Sequence, residues 1–183
     1  MKVPKINILD EKNKILRMTS KNVEFPLSKK DEKLIYDALN YLKASQDEKI
    51  AEKYDLRAGM GLALVQLGVL KRIFVIANKN EDGSFEEHII INPIIKSASE
   101  ELIYVGEGEG CLSINRPTTG IVPRNARITV EYQDMEGNKQ TIRVREDISV
   151  AFQHEIDHLN GILFIDKIDK KDPFKNKDLM REI

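Results

Sequence analysis

The segment QHEIDHLNG at residues 153–161 places His154 and His158 four residues apart, with Glu155 directly after the first. On a helix of about 3.6 residues per turn, side chains at i and i+4 share one face, so two imidazoles at this spacing can reach a single ion. A carboxylate next to the first His can lean over a water and take its proton, the general-base task of this pattern in metal-assisted hydrolysis. The competing reading is an amphipathic helix with ordinary surface His and Glu. Only three His occur in the chain, so two of them at this spacing around a Glu argue against coincidence. Ile148, Ala151, Phe152, Ile156 and Leu159 form an apolar stripe and Gly161 offers a left-handed stop, which predicts a packed helix over about Ile148 to Asn160.

Two imidazoles are half of a zinc-type site, and the third ligand must come from His88, a carboxylate or Cys111. His88 opens an apolar strand beside Glu86 and Glu87 with no partner spacing, and reads as a surface or strand-end residue. Cys111 lies in EGEGCLSI, where Gly108 and Gly110 permit close backbone approach. A small buried hydrophobe is the commoner fate of a lone Cys. Being the single cysteine, it rules out an intramolecular disulfide framework and suits a reducing compartment.

The elements that must position these residues can be read from periodicity. Ser28 followed by KKDEKLIYDALNYLKAS predicts a capped helix to about Lys43, with a stripe of Leu34, Ile35, Ala38, Leu39 and Leu42. A polar, charged stretch, SQDEKIAEKYDLR, precedes GMGLALVQLG and the strand pattern KRIFVIAN. HIIINP reads as a buried strand ending at Pro93, and ARITVEYQ and KQTIRVR alternate around DMEGN as an antiparallel hairpin. Strands in the middle and a motif helix late in the chain predict a segregated α+β fold. The tail DKIDKKDPFKNKDLMREI is charge-rich and is expected on the surface, with Asp166, Asp169, Asp172 and Asp178 nearly balancing its lysines.

At 183 residues without a low-complexity linker, residues 1–183 are read as one domain. The start MKVPKINILD has no apolar run of secretory length and no membrane-spanning run occurs, so a cytoplasmic protein without membrane contact is expected. With 29 basic and 30 acidic residues, the net charge of -1 leaves no electrostatic footprint for nucleic acid.

EGCLS, HEIDHLNG and the upstream GMGLALVQ together resemble the three signature segments of the peptide deformylases, in the same order and at comparable separations. The resemblance covers nearly the whole chain and includes GIVPRNARITVEY. The long segment before the first signature resembles the insertion-bearing subclass of many Gram-positive bacteria. The resemblance implies a single-domain α+β fold in which antiparallel strands pack around the late HExxH-bearing helix. It also implies removal of the N-formyl group from the N-terminal formyl-methionine of new polypeptides, with release of formate.

By that resemblance, Cys111, His154 and His158 are the ligands of one divalent metal ion. Thiolate and imidazole suit Fe(II), Zn(II), Ni(II) or Co(II) rather than Mg(II) or Ca(II), and the family places Fe(II) first. Glu155 is then the general base, and Gln66 with the Leu112 backbone N–H stabilises the oxyanion. Gly59, Met60 and Gly61 meet the peptide backbone and its surroundings. The expected partner is the N-formylmethionyl peptide, bound by a monomer, with transient ribosome contact through Lys167, Lys170, Lys171, Lys175 and Lys177 as a further expectation. The chain departs from the family at Leu64-Val65, where many relatives read Ala-Pro before the Gln. It departs again at Ile121, where relatives in this subclass often carry an aromatic residue that shapes the pocket. The alternatives are an HExxH zinc peptidase, against which Cys111 speaks, and an inactive metal-binding interaction module, against which Glu155 and Gln66 speak.

Overall fold

Ser28 opens the first helix, its Oγ accepting the Asp31 N–H at 3.1 Å while Asp31 and Glu32 sit at the positive end of the helix. This helix, α1 (Lys29–Ser45), runs slightly past the expected end at Lys43. The computed structural model describes residues 3–183; residues 1 and 2 of the expected domain, and of the MKVPKINILD start, lie outside the described residues. The polar stretch after α1 holds a short helix, α2 (Glu48–Tyr54), none of whose residues is buried.

The strands follow as β1 (Gly61–Ala63), β2 (Ile73–Lys79), β3 (Phe85–Ala98), β4 (Leu102–Tyr104), β5 (Arg124–Asn125), β6 (Arg127–Gln133) and β7 (Lys139–Arg145). The late helix α3 (Glu146–Leu159) and a terminal strand β8 (Arg181–Glu182) complete the elements that matter here. One antiparallel sheet has the order β1-β2-β3-β6-β7; a smaller one has the order β5-β4-β8, with β8 parallel to β4. The fold is therefore α+β, as the order of predicted elements implied. No helix among the described residues is long and apolar enough to cross a membrane.

β2 is apolar from Ile73 to Ala77 because both faces of the sheet are covered there. Successive side chains alternate across a strand, so Ile73, Val75 and Ala77 pack with Ile35, Ala38, Leu39 and Leu42 of α1. Phe74 and Ile76 pack with Phe152 and Ile156 of α3 on the other face. The Phe74 and Phe152 rings meet edge to face, 5.2 Å between centroids. The sheet thus holds α3 by its apolar stripe and fixes which face of the HExxH turn is turned inward.

Pro93 does not end its strand. β3 continues to Ala98 because the register against β6 shifts between Ile91 and Ile94, where Asn92 adopts a left-handed φ of 51°. This bulge takes the proline out of the ladder, so its missing N–H costs no rung. The DMEGN hairpin forms as expected, with Asp134 Oδ1 accepting from the Glu136 and Asn138 N–H groups.

α3 ends one residue before the expected Asn160, in a Schellman arrangement: Ile162 N–H donates to Asp157 O at 3.0 Å and Gly161 N–H to His158 O at 3.1 Å. Gly161 has φ +74°, and a Cβ there would stand 2.6 Å from Arg17 O. Gly161→Ala is therefore expected to cost more than about 1 kcal/mol. A lower urea midpoint at unchanged m would show this, whereas an unchanged midpoint would mean that the Arg17 segment yields freely.

The tail is largely exposed, but its end is not adrift. β8 extends the small sheet, Arg181 binds Glu146 and Glu101, and Ile183 packs with Ile103, Ala126 and Val150. Lys167, Lys175 and Lys177 pair with Asp157, Asp169 and Glu182, so much of the tail's positive charge is answered within the chain.

Candidate metal and hydrolytic site

On α3, the stripe that binds the sheet carries the residues from Phe152 to Leu159 into the interior, and His154, Glu155 and His158 are all buried. The loop between β4 and β5 brings Cys111 against them. Ligand atoms of Cys111, His154 and His158 lie within 4.8 Å of one another. Cys111 Sγ is 3.3 Å from His158 Nε2. His154 Nδ1 is taken by Glu109 Oε2 at 2.8 Å, which leaves Nε2 as the nitrogen available to the cluster. His88 is elsewhere, on β3, with its ring against Phe152 and its Nε2 beside Glu86.

The donor set fits a divalent ion on chemical grounds. Two imidazoles and a cysteine sulfur whose donor atoms lie within 4.8 Å of one another, beside a cavity lined by Cys111 and His154, match the ligand number and type of a three-ligand catalytic site. Burial, reinforced by the neighbouring His154, pushes His158 well below its ordinary pKa and keeps its lone pair free. Burial opposes charge on His154 too, yet hydrogen bonds with Cys111 and Glu109 and the charges of Glu155 and Glu109 raise it well above the usual value. The position favours a cation.

A buried network lies behind the cluster. Arg124 donates Nε to Glu109 Oε1 at 2.7 Å and Nη2 to Glu109 Oε2 at 2.9 Å, and Nη1 to Asp157 Oδ2 at 2.5 Å. Burial alone would raise Glu109, but the hydrogen bonds with His154 and Arg124 bring it down to about 2. A charged carboxylate on Nδ1 fixes the tautomer and ring plane of His154. Sequence reasoning did not find Glu109, Arg124 or Asp157. Glu109 stands two residues before Cys111 and Asp157 three after His154, which are local signals. Arg124, inside IVPRNARITV, carries none.

The cavity at the cluster has a volume of about 360 Å³ and is lined by Gly59, Met60, Gly61, Gln66, Leu112, Glu155 and the apolar Val105, Val150 and Ala151, among others. Glu155 Oε2 is buried without a hydrogen-bond partner among the described residues. Burial, against the opposing charge of His154, raises this carboxyl to about 7. Gln66 is held at both ends of its amide: Oε1 accepts the Ala63 N–H at 2.9 Å, and Nε2 donates to Ser113 Oγ at 3.1 Å and points at Cys111 Sγ, 3.6 Å away. Ser113, also not foreseen, thereby sets which way the amide faces. Leu64 and Val65, in place of Ala-Pro, form a short 3-10 turn with Gln66 and are fully buried, one against each core cluster, so packing holds this segment without proline. Ile121 does not line this cavity; it lies in a separate cleft with Pro123, Ile168 and Pro173.

The two glycines differ. β1 is the edge strand, and Met60 O accepts the Ala77 N–H at 2.9 Å, so the alternation of an antiparallel ladder turns the Gly61 N–H and C=O to the open edge. A Cβ at Gly61 would stand 2.5 Å from Glu155 Oε1. Gly59 has its N–H on Ser45 Oγ at 3.2 Å and its carbonyl on Gln46 Nε2 at 2.9 Å, so its backbone is engaged by the end of α1 and its part is close approach to Leu112.

The sequence model of the polypeptide deformylase family matches residues 5–174. The chain is 47% identical over 170 residues to the peptide deformylase of Ligilactobacillus salivarius, covering 91% of each, and 46% identical over 168 residues to that of Oceanobacillus iheyensis, covering 92% of each. Its fold is similar to the crystal structure of peptide deformylase from Thermus thermophilus, with a TM-score of 0.74 and 32% identity over 91% of this chain and 87% of that one. A match spanning nearly all of the chain, together with a buried Cys-His-His cluster beside a buried Glu, leaves one conclusion: the chain belongs to the polypeptide deformylase family of metallohydrolases.

Proposed function

We propose that this chain hydrolyses the formamide of N-formylmethionyl peptides with Glu155 as proton carrier and with Gln66 Nε2 and Leu112 N–H as oxyanion donors. The observation that carries the reading is the convergence on one cavity of a buried, unpartnered carboxylate oxygen, a three-ligand cluster and an amide whose orientation is fixed at both ends. A divalent ion at Cys111, His154 and His158, with Fe(II) first among the candidates, supplies the Lewis acidity that lowers the pKa of water from about 15.7 toward ~7.

The chain's own groups do the rest. The Gly61 edge pairs with the extended peptide by strand addition, and Val105, Val150, Ala151 and Met60 offer an apolar wall to its first side chain. Glu155 Oε2 takes a proton from water as the water oxygen bonds to the formyl carbon. Charge then grows on the formyl oxygen, which accepts from Gln66 Nε2, in place of its long contact with Cys111 Sγ, and from the Leu112 N–H, which donates to no protein group among the described residues. Glu155 returns the proton to the amine nitrogen as the C–N bond breaks, leaving formate and a free N-terminus.

The test is formate release from a formyl-Met peptide, run anaerobically with Fe(II), beside cleavage of an unformylated peptide. Formate release without internal cleavage supports the reading; internal cleavage would establish the zinc-peptidase alternative, and metal retention without either would establish a binding module. Gln66→Ala is expected to lower kcat by about 10²–10³-fold, the cost of losing one oxyanion donor. The same assay checks this, and a change confined to KM would assign Gln66 to substrate binding.

A further inference from the structure

We infer that Arg57 is a positioning residue for the oxyanion donor, holding the Cys111–Leu112 peptide plane so that the Leu112 N–H faces the cavity; the inference rests on the functional reading above. Arg57 lies just before β1, and its guanidinium reaches across to the Cys111 loop. Nη2 donates to Cys111 O at 3.0 Å and Ile114 O at 3.1 Å. Nη1 donates to Leu112 O at 3.4 Å and to Asn115 Oδ1. Both terminal nitrogens are thus committed to the loop, although Arg57 itself is an exposed residue at the rim of the cavity.

The geometry of the peptide bond gives this contact its meaning. In a trans peptide the C=O and the following N–H lie in one plane and point in opposite directions. Holding Cys111 O from the rim therefore aims the Leu112 N–H the other way. The carbonyl that Arg57 binds and the N–H assigned to the oxyanion belong to the same peptide group, so the cation also polarises the donor it orients. A bidentate, planar fork does this better than a point charge on a flexible stem. Loops with permissive glycines need such an anchor: Gly108 sits at φ +85° and Gly110 has no neighbour within 4 Å of its Cβ position.

Arg57→Ala and Arg57→Lys test this with two readouts. Steady-state kinetics of formate release, with metal content measured on the same samples, should show kcat about 10-fold lower for Arg57→Ala at unchanged KM and metal stoichiometry, with partial recovery in Arg57→Lys. In the zinc-loaded protein, the 1H–15N signal of Leu112 should shift or broaden in Arg57→Ala while that of Ala63, held by Gln66 Oε1, stays in place. An unchanged kcat, a loss that merely follows lost metal, or an unmoved Leu112 signal would overturn the inference. The amide signal is read without turnover, so a wild type that releases no formate would overturn the functional reading and not the restraint on this peptide plane.

Discussion

Glu155→Gln is expected to reduce kcat for formate release by about 10²–10⁴-fold, the range for loss of a positioned general base. The substitution keeps the shape of the side chain and removes its basicity. Glu155 Oε2 is buried without a partner among the described residues, and Oε1 lies 2.5 Å from where a Cβ on Gly61 would stand. The carboxylate is thus held in the cavity by packing while its charge is unfavourably buried. Neutral Gln relieves that desolvation, so the variant should unfold at the same or higher urea concentration than the wild type, as expected where a site spends stability on chemistry. Formate release within about threefold of the wild type would place the general base elsewhere. A drop in both stability and metal content would make Glu155 a structural residue.

Arg124→Met is expected to lower the unfolding free energy by about 3–5 kcal/mol, because the change takes the guanidinium from the buried Glu109 and leaves Asp157 to Lys167 alone. Arg124 is 1% exposed, and its guanidinium is the main counter-charge of Glu109 and shares Asp157 with Lys167. Methionine fills much of the space but answers neither charge. The loss is read from urea unfolding at unchanged m. Glu109 also orients His154 through Nδ1, so the same variant should bind zinc about 10–100-fold more weakly, the usual cost of a lost partner behind a ligand His. A loss under about 1 kcal/mol would show that water or Lys167 replaces the guanidinium. Weaker metal binding without loss of stability would confine the network's role to the ligand.

The two effects separate the site into parts. On the proposed reading Glu155 acts on the proton, and its replacement should leave the fold intact, whereas Arg124 acts on the fold and would reach the chemistry only through Glu109 and His154. Gln66, fixed by Ala63 and Ser113, and Leu112, whose preceding carbonyl Arg57 binds, form on the same proposed reading a third part that would meet the developing charge.

The sequence by itself determined what is local and periodic. The i and i+4 spacing of His154 and His158, the stripe that buries them, the Gly161 stop, the Ser28 cap and the DMEGN hairpin each depend on residues within a turn or two of one another. The family signatures then tied Cys111 and Gln66 to the same site. What only the tertiary structure decided depends on contacts between distant segments. Pro93 stays within a strand because β6 accommodates a bulge; Ile121 lies outside the cavity because the tail packs over it; Gly59 gives its backbone to Ser45 and Gln46, leaving Gly61 as the open edge. Arg124 and Arg57 show the same limit. An arginine in a sequence carries a charge, and whether that charge meets solvent, a buried carboxylate or a row of carbonyls depends on which distant loop the fold brings to it.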